Sequence, residues 1–147
     1  MTYWKFSLMM IISFIIMYIV MFLNVERIGH YHTSTSRVYM ALLMVAPMVV
    51  VMMAMMGKMY PNKKLNTAII IGGIAVFAGT LVALRTQTPI GDVQYMKAMI
   101  PHHSSAILTS KEANLEDPQV KELAKQIIES QEKEIAEMEA ALERLKK

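Results

Sequence analysis

Three long apolar runs occupy the first 88 residues. They cover 7–23, 38–57 and 67–84, and none of them contains a charged side chain. An apolar run of about 17–25 residues is long enough to cross a bilayer as a helix. Tyr3 and Trp4 precede the first run, at the place where interfacial aromatic residues are common. The pattern predicts a membrane domain at 1–88 with three transmembrane helices.

The first run also has the length of a signal peptide core. Lys5 is the only charged side chain before it, and the segment Phe22 to Glu26 offers no small-residue cleavage site. A secretory signal normally has both a basic start and such a cleavage site. We therefore expect this run to remain as an uncleaved anchor.

The pattern becomes amphipathic after Pro89 and predicts two further helices in a domain at 89–147. The first begins near Asp92 as its N-cap residue, with Pro101 on the face expected to meet solvent. The second restarts at Asp117-Pro118, because proline is favoured at the first helical position. Its apolar stripe has steps of three and four, which suits a helical hairpin that forms half of a four-helix bundle. The stripe consists of Val120, Ala124, Ile127, Gln131, Ile135, Met138, Leu142 and Leu145.

Charge separates the two regions. Residues 1–88 hold seven Lys or Arg and the single acid Glu26, whereas 89–147 holds eight Lys or Arg and eleven acids. The basic residues of the first region flank apolar runs, which fits membrane anchoring and not nucleic-acid binding. The chain has no cysteine, so disulfides, thiolate metal sites and cysteine nucleophiles are excluded.

Loop charges indicate the orientation. Lys58, Lys63 and Lys64 share a side with Lys5 and the N-terminus, and the remaining arginines lie on the other side. The positive-inside rule then favours a cytoplasmic N-terminus. We expect a multi-pass protein of the cell membrane (inner or plasma), with the C-terminal domain and the first loop both extracytoplasmic.

Candidate chemistry is concentrated at the start of the C-terminal domain. At about 100° per residue, Asp92, Met96, Met99 and His103 fall on one line of a helix, and His102 lies beside it. Thioethers together with imidazoles select soft or borderline metals, copper above all. The alternative is that the methionines fill the core and the histidines sit at a solvated edge.

Three other patterns each allow two interpretations. The methionines 40, 44, 48, 52, 55 and 59 form a stripe on the second apolar run, which either guides a soft ion or fills gaps between helices. His30 and His32 in the first loop either bind metal or only occupy an interfacial loop. Gln131 and Glu134 either face the His102 and His103 region or fix the helix register.

The small residues Ala75, Gly79 and Ala83 repeat every four positions on the third run. Such a line allows two helix backbones to approach closely. We expect this line to pack on another transmembrane helix.

The C-terminal domain resembles a known family. The motif D-x-x-Y-x-x-x-M-I-P-H-H-x-x-A-I, followed by A-x-x-I-I-x-x-Q-x-x-E-I-x-x-M, is similar to that of the domain of unknown function 305 (DUF305) family, from about Gly91 to Leu145. The resemblance implies a ferritin-like helical bundle and an extracytoplasmic metal-associated domain, since some members are linked to copper binding and tolerance. The chain departs from the family at Thr109 and Ala141, where methionine and an aromatic residue are frequent. The matching positions are Asp92, Tyr95, Met99, His102, His103, Gln131, Glu134 and Met138.

These observations lead to an all-α fold of three transmembrane helices followed by a helical hairpin. We expect a bacterial membrane-anchored protein that binds a copper ion, with no enzymatic activity and with homodimerisation or higher assembly in the lipid bilayer. The alternative is a structural or interaction module of a membrane complex. The favoured ligands are His102, His103, Met99, Met96 and Met138. Less favoured ligands are Asp92, Gln131, Glu134, His30 and His32.

Overall fold

The fold is all helical across residues 2–145, which are the residues that the computed structural model describes. Five α-helices and two short 3₁₀ turns follow one another, and no strand occurs in this range. This architecture confirms the predicted all-α class. The elements are α1 (Tyr3–Val20), a turn at Ile28–His30, α2 (Thr35–Met56), a turn at Gly57–Met59, α3 (Lys63–Thr86), α4 (Asp92–Glu112) and α5 (Pro118–Leu145).

The first three helices are long and apolar enough to cross a membrane. The qualifying segments are Tyr3–Val20, Thr35–Met59 and Lys63–Thr86. Each begins three or four residues before the apolar run that predicted it, because polar residues at a helix start do not prevent helix formation. Most of their large apolar side chains are exposed, as a lipid-facing surface would require.

The chain divides into two compact units. Unit 1 contains the described residues up to Met21 together with Ser36–Pro89. Unit 2 contains Phe22–Thr35 and the described residues from Ile90 onward. The boundary predicted between 88 and 89 lies next to the observed division at Pro89. The first loop, which was expected to belong to the membrane domain, packs instead with the C-terminal helices.

Unit 1 is held together at the α2–α3 turn. The Tyr3 hydroxyl donates to Oδ1 of Asn66 at 2.8 Å. The Asn66 amide in turn donates to the carbonyl oxygen of Gly57 at 3.0 Å. The side chains of Phe6, Met10, Met53 and Tyr60 form the core beside this hydrogen-bonded group.

Close packing between α2 and α3 occurs at Gly73. A Cβ atom at this position would lie 2.8 Å from Cγ2 of Val50, whereas one at Gly79 would meet nothing within 4 Å. Ala75 and Gly79 are exposed. The predicted small-residue line was therefore wrong, because Gly73 and the buried Thr80, seven residues apart, mark the packed face.

The methionine stripe on α2 does not form one packed face. Met40 and Met55 are exposed, while Met48 and Met52 pack against the core of unit 1. Met53, which lies outside the predicted stripe, is the most buried methionine of α2 at 1% exposure. The stripe residues therefore divide between a packed part and an outward part.

Unit 2 contains the expected helical hairpin. Met96, Ile100 and Ile107 of α4 pack against Ile135 and Leu142 of α5. Asp117 caps α5 as predicted, since its Oδ1 accepts hydrogen bonds from the backbone N–H groups of Gln119 and Val120 at 2.9 and 3.0 Å. Gly91, not Asp92, is the N-cap residue of α4, and Asp92 is an acid in the first turn, where it favours the helix dipole.

Candidate metal site on the helical hairpin

His103 is a buried histidine in the interface between α4 and α5. Its Nδ1 atom lies 3.1 Å from Oε2 of Glu134. The approach lacks hydrogen-bond geometry, so Nδ1 is buried without a hydrogen-bond partner among the described residues. The other carboxylate oxygen of Glu134 accepts a hydrogen bond from the Ser130 hydroxyl at 2.8 Å. The ring nitrogen therefore has a carboxylate oxygen within 3.1 Å but no hydrogen bond in the described chain.

Burial lowers the pKa of His103 below its ordinary value of 6.5. Removal of the imidazolium from water is the largest cause. The Glu134 carboxylate acts in the opposite direction, and the neighbouring His102 adds to the lowering. The ring is therefore neutral near pH 7, which is the protonation state in which histidine binds a metal.

Two methionines lie one helical turn from this pair. The contact between His103 and Glu134 fixes the register of the antiparallel hairpin. Met99 precedes His103 by four residues on α4, and Met138 follows Glu134 by four residues on α5. Side chains four apart share a helix face, so Met99 is level with Met138. Met99 is half-buried, and Met138 packs against the hairpin core. One imidazole and two thioethers therefore share one region of the interface.

The other predicted ligands are less favourably placed. His102 is exposed, and its ring centroid is 6.2 Å from that of His103 with the planes tilted by 58°. Asp92 is exposed, Met96 belongs to the apolar core, and Gln131 is half-buried. Residues 2–145 contain no group of three or more His, Asp or Glu side chains arranged to hold a metal ion. The sulfur-bearing candidates nearest to His103 in sequence register are Met99 and Met138.

Comparison with known proteins places these residues in a family. The model described as "Domain of unknown function (DUF305)" matches residues 76–144. The "Uncharacterized protein L153" of Acanthamoeba polyphaga mimivirus is 39% identical over 142 residues, which cover 95% of this chain and 91% of that protein. The chain belongs to the DUF305 family. No solved structure matches it.

The DUF305 match begins inside α3, well before Gly91, where the resemblance was expected to start. The similarity to the viral relative extends over nearly the whole chain, including the three apolar helices. The expected bacterial origin gains no support from this relative, which is encoded by a virus.

The first loop closes over α4 of this DUF305 protein through Ser104. Ser104 is fully buried, with 0% exposure. Its hydroxyl oxygen accepts a hydrogen bond from the backbone N–H of Glu26 at 2.8 Å and lies 2.9 Å from Nδ1 of His30. Next to it, the amide of Asn24 donates to the Ser105 hydroxyl at 2.7 Å. The loop is therefore a structural part of the C-terminal unit.

A charged network supports the same closure. The ammonium group of Lys111 contacts both Glu26 in the loop and Glu132 on α5. The hydrogen bond from Lys111 lowers the pKa of the Glu26 carboxyl, and the same bond raises the pKa of Lys111. The first loop and both hairpin helices consequently share one cation.

This closure determines where three sequence-predicted residues lie. His30 is buried against Ser104, whereas His32 lines a cleft of about 620 Å³ with Lys97, Glu139 and other residues. Pro101 is buried, so the expectation that it meets solvent was wrong. It lies three residues before Ser104 and thus on the helix face to which the loop is attached. Sequence periodicity could not reveal this cover, because the partner segment is 74 to 78 residues away.

Proposed function

We propose that the chain is a membrane-anchored, extracytoplasmic copper-binding protein whose metal site lies in the DUF305 hairpin. The observation that supports it best is the buried Nδ1 of His103, which has no hydrogen-bond partner in the described chain. A buried polar atom normally has a partner, and an exception requires an explanation such as a bound ion. Copper would supply that partner.

The surrounding donors fit a soft metal. Met99 and Met138 offer thioethers one helical turn from His103, and thioethers favour Cu(I) over hard cations. The lowered pKa of His103 keeps its lone pair available near pH 7. Glu134 contributes one nearby carboxylate, which is too few for a magnesium or calcium site. We therefore expect His103, Met99 and Met138 to bind the ion.

The location in the membrane is part of the same proposal. Three helices have the length and composition needed to cross a bilayer. The lysines at 5, 58, 63 and 64 favour a cytoplasmic N-terminus, which puts the hairpin outside the cell. Copper bound there would be held outside the cytoplasm.

Replacement of Met99 and His103 by alanine tests the metal site in the full-length protein in detergent. Cu(I) binding is measured against a chromophoric competitor, and nitrogen ligation is measured by X-ray absorption. We expect the double variant to lose the nitrogen-ligated copper while its helicity is retained. Met40→Ala, which removes an exposed thioether, serves as the control and should bind copper as the unmodified protein does.

Unchanged nitrogen-ligated binding in the double variant would place the ligands elsewhere. The first loop, with His30 and His32, would then be the next candidate. Absence of copper binding in the unmodified, folded protein would contradict the proposal itself.

A structural module is the alternative function, and one observation favours it. Met96 and Met138 contact the same apolar core as Ile100, Ile135 and Leu142, as packing side chains do. In that case His103 and Glu134 form a packed polar pair with no ion. The copper titration separates the two functions, because a purely structural hairpin retains no copper.

A further inference from the structure

Unit 1 gathers methionines from two helices around one aromatic group. The core is formed by Phe6, Met10, Met53 and Tyr60. Four further methionines pack against it, three from α2 and one from α1. These are Met9, Met48, Met52 and Met56. Six methionines of α1 and α2 therefore belong to one apolar cluster, which differs from the predicted stripe on α2.

The centre of this methionine cluster (Met9, Met10, Met48, Met52, Met53 and Met56) is well buried. Met53 is 1% exposed and Met10 is 7% exposed. The hydroxyl of Tyr60 is also buried, and it has no hydrogen-bond partner among residues 2–145. An unpartnered buried hydroxyl is unfavourable by about 1–3 kcal/mol, so its burial in this part of unit 1 requires a reason.

The residue types in the surrounding helices limit which cation could bind. Helices α1, α2 and α3 contain no Asp, Glu, His or Cys. A hard divalent cation would find no carboxylate from these helices, whereas a soft monovalent cation binds thioether sulfur. Phe6 and Tyr3 pack against the Tyr60 ring with centroid distances of 5.9 and 5.0 Å, so these rings complete the surroundings of the cluster.

The cluster also has an approach from the surface. Met53 and Tyr60 line a cleft of about 610 Å³ together with Gly57, Lys58 and Asn66 at the α2–α3 turn. A metal site needs an entry path in addition to its ligands. This cleft reaches the cluster at the end of unit 1 that carries the turn.

We propose that the methionine cluster is a second site, specific for a soft monovalent cation such as Cu(I). Met10 and Met53 are its central ligands, and Met52 and Met56 are the neighbouring donors. The site contains sulfur ligands and no imidazole, which distinguishes it from the hairpin site at His103. It does not depend on the hairpin site and would persist in its absence.

Methionine also packs well in irregular interiors, so the test must separate ligation from packing. Substitution of leucine for methionine preserves volume and apolar character but removes the sulfur, and such swaps usually cost less than about 1.5 kcal/mol. The test variant is Met10→Leu with Met53→Leu. The matched control is Met40→Leu with Met44→Leu, because both of these side chains are exposed on α2.

The experiment titrates Cu(I) into the full-length protein in detergent against a chromophoric competitor, with X-ray absorption to identify the ligands. We expect the test variant to bind one equivalent less than the control and to lose the copper that has only sulfur neighbours. Met99→Ala with His103→Ala should retain this sulfur-only copper, so failure of the hairpin site and failure of the methionine cluster give different results. Equal stoichiometry and affinity in the test and control variants would overturn the proposal.

The single variants Met10→Leu and Met53→Leu are controls for a folding defect in the double variant. Each removes one sulfur from the centre of the cluster. We expect each to weaken Cu(I) binding at the sulfur-only site while thermal unfolding monitored by circular dichroism is unchanged. Unchanged copper affinity in both folded single variants would also contradict the proposal.

Discussion

His30 and Ser104 are joined by a buried contact of 2.9 Å between Nδ1 and Oγ, although they are 74 residues apart. The same oxygen accepts the backbone N–H of Glu26. One small side chain on α4 therefore satisfies two polar groups of the first loop. Without it, both groups would lose this hydrogen-bond partner.

Ser104→Ala should loosen the first loop. The substitution leaves the N–H of Glu26 and Nδ1 of His30 without their partner, and an unsatisfied buried group costs about 1–3 kcal/mol. We expect a lower thermal unfolding temperature and faster hydrogen exchange at the Glu26 amide. Ser110→Ala, on the half-buried surface of the same helix, is the control. Equal exchange rates in the two variants would show that Ser104 does not hold the loop.

Acid should destabilise the hairpin through His103. The folded-state pKa of His103 lies below 6.5, so the unfolded chain takes up a proton first as the pH falls. The contribution of this residue is therefore fully present above about pH 6.5 and is lost as the pH falls through the lowered value. We expect the unfolding temperature to decrease from pH 7.5 to pH 5.5 in the unmodified protein, and to decrease less in His103→Gln. The same decrease in both proteins would assign it to other groups.

Gly73→Ala should destabilise unit 1 more than Gly79→Ala. The new methyl group at position 73 meets Val50 at 2.8 Å, and overpacking of this kind typically costs about 1–3 kcal/mol. Position 79 has open space, and alanine favours a helix over glycine by about 1 kcal/mol. The thermal unfolding temperature in detergent, followed by circular dichroism, should fall for Gly73→Ala and rise for Gly79→Ala. Similar stability of both variants would contradict the assigned packing face.

Local periodicity predicted the parts of this fold that depend on neighbouring residues. The three apolar runs, the capping by Asp117 and the hairpin stripe at Ile135 and Leu142 all follow from patterns within one helix. Gln131 and the flanking Glu134 were expected either to face the His102 and His103 region or to fix the helix register. The structure shows Glu134 in contact with His103.

Contacts between distant segments could not be predicted in the same way. Ser104 resembles any small polar residue on a helix until the loop that covers it is known. Pro101 was expected to meet solvent for the same reason. Gly73 was missed because α3 contains several small residues, and only the position of Val50 on the neighbouring helix selects one of them. The metal-binding roles of His103, Met99 and Met138 stay predictions.

The membrane orientation can be tested with single cysteines, because the chain has none of its own. The first variant is Lys146→Cys, which lies outside the described residues. The second is Lys121→Cys, at an exposed position of α5. We expect both cysteine variants to react with an impermeant thiol reagent on intact cells. Lys58→Cys, in the turn between α2 and α3, should react only after lysis. The reverse pattern would place the hairpin in the cytoplasm and would contradict extracytoplasmic copper binding.

We expect homodimerisation, because the hairpin helices have unequal lengths. Helix α5 has 28 residues and α4 has 21, and Val120 and Leu123 near the start of α5 are 45% and 55% exposed. A second hairpin would cover them by completing a four-helix bundle. We expect sedimentation of the full-length protein in detergent to show a concentration-dependent dimer.

Leu123→Lys should weaken this dimer, whereas Glu137→Lys, at a charged exposed position of α5, should not. A single species of monomer mass at about tens of micromolar, with the hairpin fully helical, would contradict dimerisation. The apolar residues would then be covered by the membrane helices or by lipid.

The assignment of Phe22–Thr35 to unit 2 imposes an order on biosynthesis. Ser104 is translated 78 residues after Glu26, which at about 5–20 residues per second corresponds to a delay of about 4–16 seconds. Throughout that interval the loop has emerged but its hydrogen-bond partner has not. The three apolar helices are therefore translated before the C-terminal unit can be completed, and a nascent chain that stops before α4 leaves the loop with its polar groups unpaired.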